Sequence, residues 1–118
     1  VRPDFPGGWE GDERDGFRPL TLTEEERWWR ERIGRLAAFR WHHPELMVAP
    51  LTQAIPQNGW YWMEHRTNTE AVTVYVNRSD EPRHVKGERP GFDVIEGGGV
   101  DAEWDVAPGS CRVIYTSF

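Results

Sequence analysis

"EAVTVYVN", residues 70–77, decides the fold class. Its valines fall at every second position, so Val72, Val74 and Val76 point to one side of an extended chain and Thr73 and Tyr75 to the other. β-Branched and aromatic residues suit that pleated geometry, whereas a helix would scatter the same residues around its circumference. The stretch predicts a strand.

The same period recurs towards the carboxyl end. "VDAEWDVA" (100–107) places Val100, Ala102, Trp104 and Val106 inward and Asp101, Glu103 and Asp105 outward. "GWYWMEHR" (59–66) and "SCRVIYTSF" (110–118) are rich in strand formers. Turn residues separate these runs at Gln57-Asn58-Gly59, Asn77–Pro82, Gly87–Gly91, Gly97-Gly98-Gly99 and Pro108-Gly109. Short strands at this spacing predict an antiparallel sandwich or barrel from residue 51 onward.

Upstream the pattern changes. Residues 20–43 predict a helix, opened by Thr23 and Glu26 in capping-box spacing and stopped by Pro44. Glu24, Glu25 and Glu26 sit near its positive end, and Arg35 and Arg40 lie towards the other. Trp29, Ile33, Leu36 and Ala37 form an apolar stripe, which Trp28, Phe39 and Trp41 widen. Such a helix expects neighbours on two sides, and the reading folds it over one sheet to hide Trp29, Ile33 and Leu36. Residues 1–19, rich in glycine and proline, read as an extended loop.

Composition excludes several roles. The 118-residue chain carries a net charge of −6, with 8 basic against 10 acidic residues in 1–50 and 6 against 10 in 51–118. Neither half offers the basic footprint that nucleic acid requires. No apolar run approaches the roughly 18 residues of a membrane span. The one cysteine, Cys111, excludes an internal disulfide and reads as a small packed residue of a strand. His42 and His43 diverge on the helix, and His65 and His84 stand in different strands, so no metal site is predicted. Glu10, Asp12, Glu13 and Asp15 lack the spacing of a calcium loop. Asn77-Arg78-Ser79 fits the glycosylation triplet, a pattern that chance supplies often.

Three stretches carry a family resemblance: "RPDFPGGWEGD" at 2–12, "LTEEERWWRERIGRLAAFRWHHPEL" at 22–46, and "DVIEGGGVDAEWDVAPGSCRVIY" at 93–115. Together they resemble the C-terminal end of an α-amylase-superfamily glycoside hydrolase, of the cyclomaltodextrinase and neopullulanase branch. The resemblance implies that 1–19 is a loop from the rim of a catalytic (β/α)8 barrel and that 20–43 is the last barrel helix. Residues 51–118 would be the small Greek-key β-sandwich that follows. Phe5 and Trp9 would then pack on the barrel, and Val1 would be a cut point.

The resemblance also implies where the chemistry lies. Retaining glycosidases need a nucleophilic and an acid/base carboxyl group about 5–5.5 Å apart. The family's carboxylates come from barrel strands that precede this loop, so no catalytic residue is expected here, and no cofactor. Arg2 and Asp4 would lie nearest the active-site rim, Arg2 beside glucose units on the non-reducing side of the cut. The alternative is that both merely hold the loop's shape.

Trp60 and Trp62, two apart on a strand, share a face with Tyr61 and Met63 opposite. Flat rings stack on the apolar faces of glucose, so this pair is a candidate α-glucan contact, with core packing as the competing assignment. Three functions follow: a non-catalytic piece that supports its own barrel, a stand-alone starch-binding module, or a protein-interaction sandwich. The sequence leaves open whether the compartment is the cytoplasm or periplasm of a bacterium.

Overall fold

The computed structural model describes residues 11, 13, 16–18 and 21–118. Arg2, Asp4, Phe5 and Trp9 lie outside the described residues. The chain divides into two compact units, Val1–Gly34 and Arg35–Phe118.

In the first unit, helix α1 (Glu24–His42) opens as its sequence dictates. Thr23 Oγ1 accepts a hydrogen bond from the Glu26 amide at 3.2 Å, and Glu26 Oε2 accepts one from the Thr23 amide at 3.3 Å. That is the reciprocal capping box. It starts the helix at Glu24, with Thr23 as its cap, rather than at the expected residue 20. Arg27 Nη1 donates to the Leu22 carbonyl and Arg30 Nε to that of Gly16, which tie the helix to the segment before it. Trp28 and Trp29 meet edge to face with ring centres 4.9 Å apart. The Arg32 guanidinium lies 3.8 Å from the centre of the Trp28 ring.

The second unit begins with the last turns of α1 and a short helix, α2 (Pro44–Met47), whose proline occupies a first-turn position where its missing N–H costs nothing. Eight strands follow: β1 (Leu51–Gln53), β2 (Trp60–Arg66), β3 (Glu70–Asn77), β4 (Arg83–Lys86), β5 (Gly91–Asp93), β6 (Gly98–Val100), β7 (Glu103–Val106) and β8 (Ser110–Ser117). A six-stranded sheet runs β1-β2-β3-β8-β5-β6, and β4 pairs with β7 in a second, two-stranded sheet. Every pairing is antiparallel. The fold is a small β-sandwich preceded by a helix.

Two cores form on opposite faces of the large sheet. Leu46 of α2, fully buried, joins Val72, Val94 and Val113, with Leu36 and Phe39 of α1 packed against them. On the other face Trp104 and Val106 of β7 meet Ile114, flanked by Trp60, Tyr75 and Val85. Strand β3 serves both, since Val72 faces one core and Tyr75 the other. Its alternation therefore reads as two apolar faces rather than one.

Four expectations change. Leu36 does pack on the first core, but Trp29 and Ile33 remain 55% and 60% exposed. The stretch 100–107 is split between β6 of the large sheet and β7 of the small one, because the chain changes sheets at Asp101 and Ala102. Of the three glycines, Gly97 takes the left-handed φ of +76° in the turn, while Gly98 and Gly99 pair within β6 opposite Asp93 and Phe92. Cys111, expected to be packed, is exposed near the start of β8. No described helix is long and apolar enough to cross a membrane.

Candidate functional site

The turn before β2 fixes where its side chains point. Asn58 and Gly59 both have positive φ, 52° and 80°, and bridge Gln57 to Trp60. That is the primed two-residue turn that Asn-Gly favours. From there the register places Trp60 opposite Asn77, Trp62 opposite Tyr75 and Glu64 opposite Thr73. Trp60, Trp62 and Glu64 thus share the face of the second core, and Tyr61 and Met63 face the first.

The β4–β7 ribbon covers only part of that face. Beside it an open cleft of ≈ 350 Å³ remains, floored by Trp60, Trp62 and Tyr75 and walled by the four residues of β4. That volume lies near the lower end of the range of small-molecule sites, roughly 300–1,000 Å³. Glu64 and Thr73 line both this cleft and a smaller one of ≈ 150 Å³ that leads towards Trp104 and Phe118.

The two tryptophans differ in what they touch. Trp60 stacks with Tyr75, centres 5.9 Å apart and planes at 25°, and carries the Arg83 guanidinium 5.0 Å from its own ring centre. Trp62 is half-buried, and among the described residues no ring or cation stacks on it. Sequence spacing put the pair on one face, and the structure separates them by occupancy.

Polar groups form a chain along the cleft. Thr73 Oγ1 donates to Glu64 Oε2 at 2.8 Å, and Arg66 Nε donates to Glu64 Oε1 at 2.9 Å. Arg66 also reaches Glu88 at 2.9 Å, and these carboxylates, the Glu64 hydrogen bond foremost, raise its pKa above the ordinary arginine value. Burial raises the Tyr75 hydroxyl pKa, an effect that Thr73 opposes. On β4 and β7, His84 lies 2.9 Å from Asp105 and Lys86 lies 3.8 Å from Glu103. Among the described residues no three His, Cys, Asp or Glu side chains converge to hold a metal ion. Nor do two carboxylates face each other across this cleft, whose carboxylate lining is Glu64.

Sequence reasoning missed Arg83 and Glu64. Arg83 belongs to the site because β4, in the other sheet, lies beside β2, and nothing local to either strand announces that, whereas the two-residue period that joins Trp60 to Trp62 also reaches Glu64.

A second surface lies on α1. Trp29, Ile33, Ala37 and Trp41 recur at intervals of four along one side of the helix. Trp41 is 84% exposed, and Ala37 is exposed as well.

No protein-family model matches the sequence. No curated protein matches it either. Solved structures do share its fold. An Anoxybacillus α-amylase, described as a new glycosyl hydrolase subclass, aligns over 84% of this chain with TM-score 0.59 and 12% identity. The enzyme AmyP, solved with maltotriose, aligns over 81% with TM-score 0.60 and 17% identity. A hypothetical maltooligosyl trehalose synthase from Sulfolobus tokodaii aligns over 98% with TM-score 0.61 and 14% identity. The chain spans only 27%, 22% and 15% of these proteins respectively. At these identities the shared property is the fold: a helix and β-sandwich that make up a minor part of each longer chain.

Proposed function

We propose that this chain is the C-terminal portion of an α-glucan-active enzyme of the α-amylase superfamily, of the cyclomaltodextrinase and neopullulanase kind, and that it supports a catalytic barrel. The observation that carries this reading is the fold likeness, over 81–98% of this chain, to small parts of the α-amylase, AmyP and synthase structures. AmyP was solved with maltotriose, which favours an α-glucan as the parent's substrate.

The exposed side of α1 supports the supporting role. Two tryptophans and an isoleucine, Trp29, Ile33 and Trp41, are all more than half exposed and recur at helical spacing as an apolar strip. A barrel wall is the neighbour that a last barrel helix requires. In this reading Arg2 and Asp4 belong to a loop at the active-site rim, and Arg2 sits beside a glucose unit. The chain by itself hydrolyses nothing, because the nucleophile and the acid come from the barrel.

The coding sequence immediately upstream of Val1 tests the proposal. An eight-fold βα pattern with acidic residues at strand ends is expected there, and an initiator codon in its place refutes the reading. In the intact enzyme, Arg2→Ala should lower kcat/KM for maltodextrin about tenfold, the equivalent of one lost charge-assisted hydrogen bond. An unchanged value assigns Arg2 to loop shape alone.

A further inference from the structure

We propose that the cleft between β2 and β4 binds a neutral oligosaccharide of glucose units, with Trp62 as the stacking platform and Trp60 as part of the wall. The choice of an α-1,4-linked glucan as ligand rests on the function proposed above. The stacking site itself rests on the geometry of the cleft.

Three observations converge. First, Trp62 lines the cleft, partly buried and with no ring or cation stacked on it among the described residues, whereas Trp60 stacks with Tyr75 and carries the Arg83 guanidinium. An indole ring at the floor of an open cleft fits the C–H face of a pyranose. Second, the hydroxyl-binding groups stand at its edge. Glu64 Oε1 and Oε2 each accept one hydrogen bond within the protein, which leaves lone pairs for a sugar hydroxyl. Third, the charges are largely spoken for. Glu64 faces Arg66, His84 faces Asp105, Lys86 faces Glu103, and Arg83 rests on the Trp60 ring. A site whose ionic groups already have partners gains little from a charged ligand and suits an uncharged polyol.

The rings also differ in what their loss would do. Trp60 packs against Trp104, Val106 and Ile114, so its removal damages the second core. Trp62 is in neither core, so its replacement is expected to disturb them less.

The test titrates the 118-residue chain with maltoheptaose while the tryptophan indole N–H resonances are followed by NMR. A saturable shift of the Trp62 indole is expected. Trp62→Leu, which keeps an apolar side chain on the strand, should weaken binding by about tenfold or more, and Trp62→Phe should restore most of it. Amide spectra of both variants report whether the fold is kept. The absence of a saturable shift at Trp62, or full affinity in a folded Trp62→Leu, overturns the proposal. Cellohexaose is the control for linkage: binding of cellohexaose with none of maltoheptaose overturns the α-glucan assignment. The upstream coding sequence tests the parent enzyme separately, so a failure here is distinguishable from a failure there.

Discussion

Arg112 grips Asp93 with two nitrogens, Nε at 3.1 Å and Nη2 at 2.9 Å, both on the same carboxylate oxygen. The other oxygen, Oδ1, accepts the amides of Ile95 and Glu96 at 3.0 Å each. Asp93 is 3% exposed, so a side chain that would cost several kcal/mol if buried alone is held by four donors from β8 and the β5–β6 turn. Asp93→Ala leaves a partly buried guanidinium without its counter-ion and two amides uncapped. A loss of about 3 kcal/mol in unfolding free energy is expected from urea titration. Asp93→Asn keeps the turn's acceptor and should lose less.

Asn77 is equally committed. Its amide nitrogen donates to the carbonyls of Glu81 at 2.8 Å and Val106 at 2.9 Å, and its oxygen accepts from the Ser79 amide at 3.0 Å and hydroxyl at 2.6 Å. At 1% exposure this asparagine of the glycosylation triplet joins β3, the following turn and β7. Asn77→Asp, which turns two donors towards carbonyls into an acceptor, should cost about 2–4 kcal/mol, more than a typical surface change. Glycosylation-competent expression should leave the folded chain's mass unmodified at Asn77, and an occupied site in folded protein contradicts the burial.

Alkaline stability has a defined cause. Burial, and then the hydrogen bond that the Tyr115 hydroxyl donates to Glu70 at 2.8 Å, raise the Tyr115 pKa, and burial raises that of Tyr75. Because the folded pKa values lie above the unfolded value of about 10, the native state binds more protons in that window. Their contribution is complete below about pH 10 and is lost as pH climbs through the folded values. Thermal unfolding from about pH 10 upward should show Tm falling, with a shallower fall in Tyr115→Phe. An identical slope in the variant refutes the assignment.

Helix α1 begins where its cap does. Thr23→Ala removes the acceptor for the Glu26 amide and should cost about 1 kcal/mol of helix stability, read as faster amide exchange at Glu25 and Glu26. Thr23→Ser should leave exchange nearly unchanged, since the hydroxyl remains.

The fold was legible where the signal is local. The two-residue period of 70–77, the capping box at Thr23 and Glu26 and the Asn58-Gly59 turn each depend on neighbours in sequence, and each appears as expected. The break at Asp101 was not legible. Continued alternation from Val100 to Val106 describes one strand as well as it describes two in different sheets, because the side-chain period does not change when the hydrogen-bond partner does. The site was half legible for a similar reason. Spacing placed Trp60 and Trp62 on one face, but which ring Arg83 covers depends on a strand from the other sheet.

The strand latest in the sequence, β8, sits between β3 and β5 in the larger sheet, with eight residue pairs to the first and two to the second. During synthesis the ribosome must therefore release every other strand before the sheet can knit together, which places its closure late and makes it depend on distant partners. A nascent chain halted at Gly109 would hold β1–β3 and β5–β6 as two unjoined ribbons with sticky margins, a form that chaperones and proteases recognise.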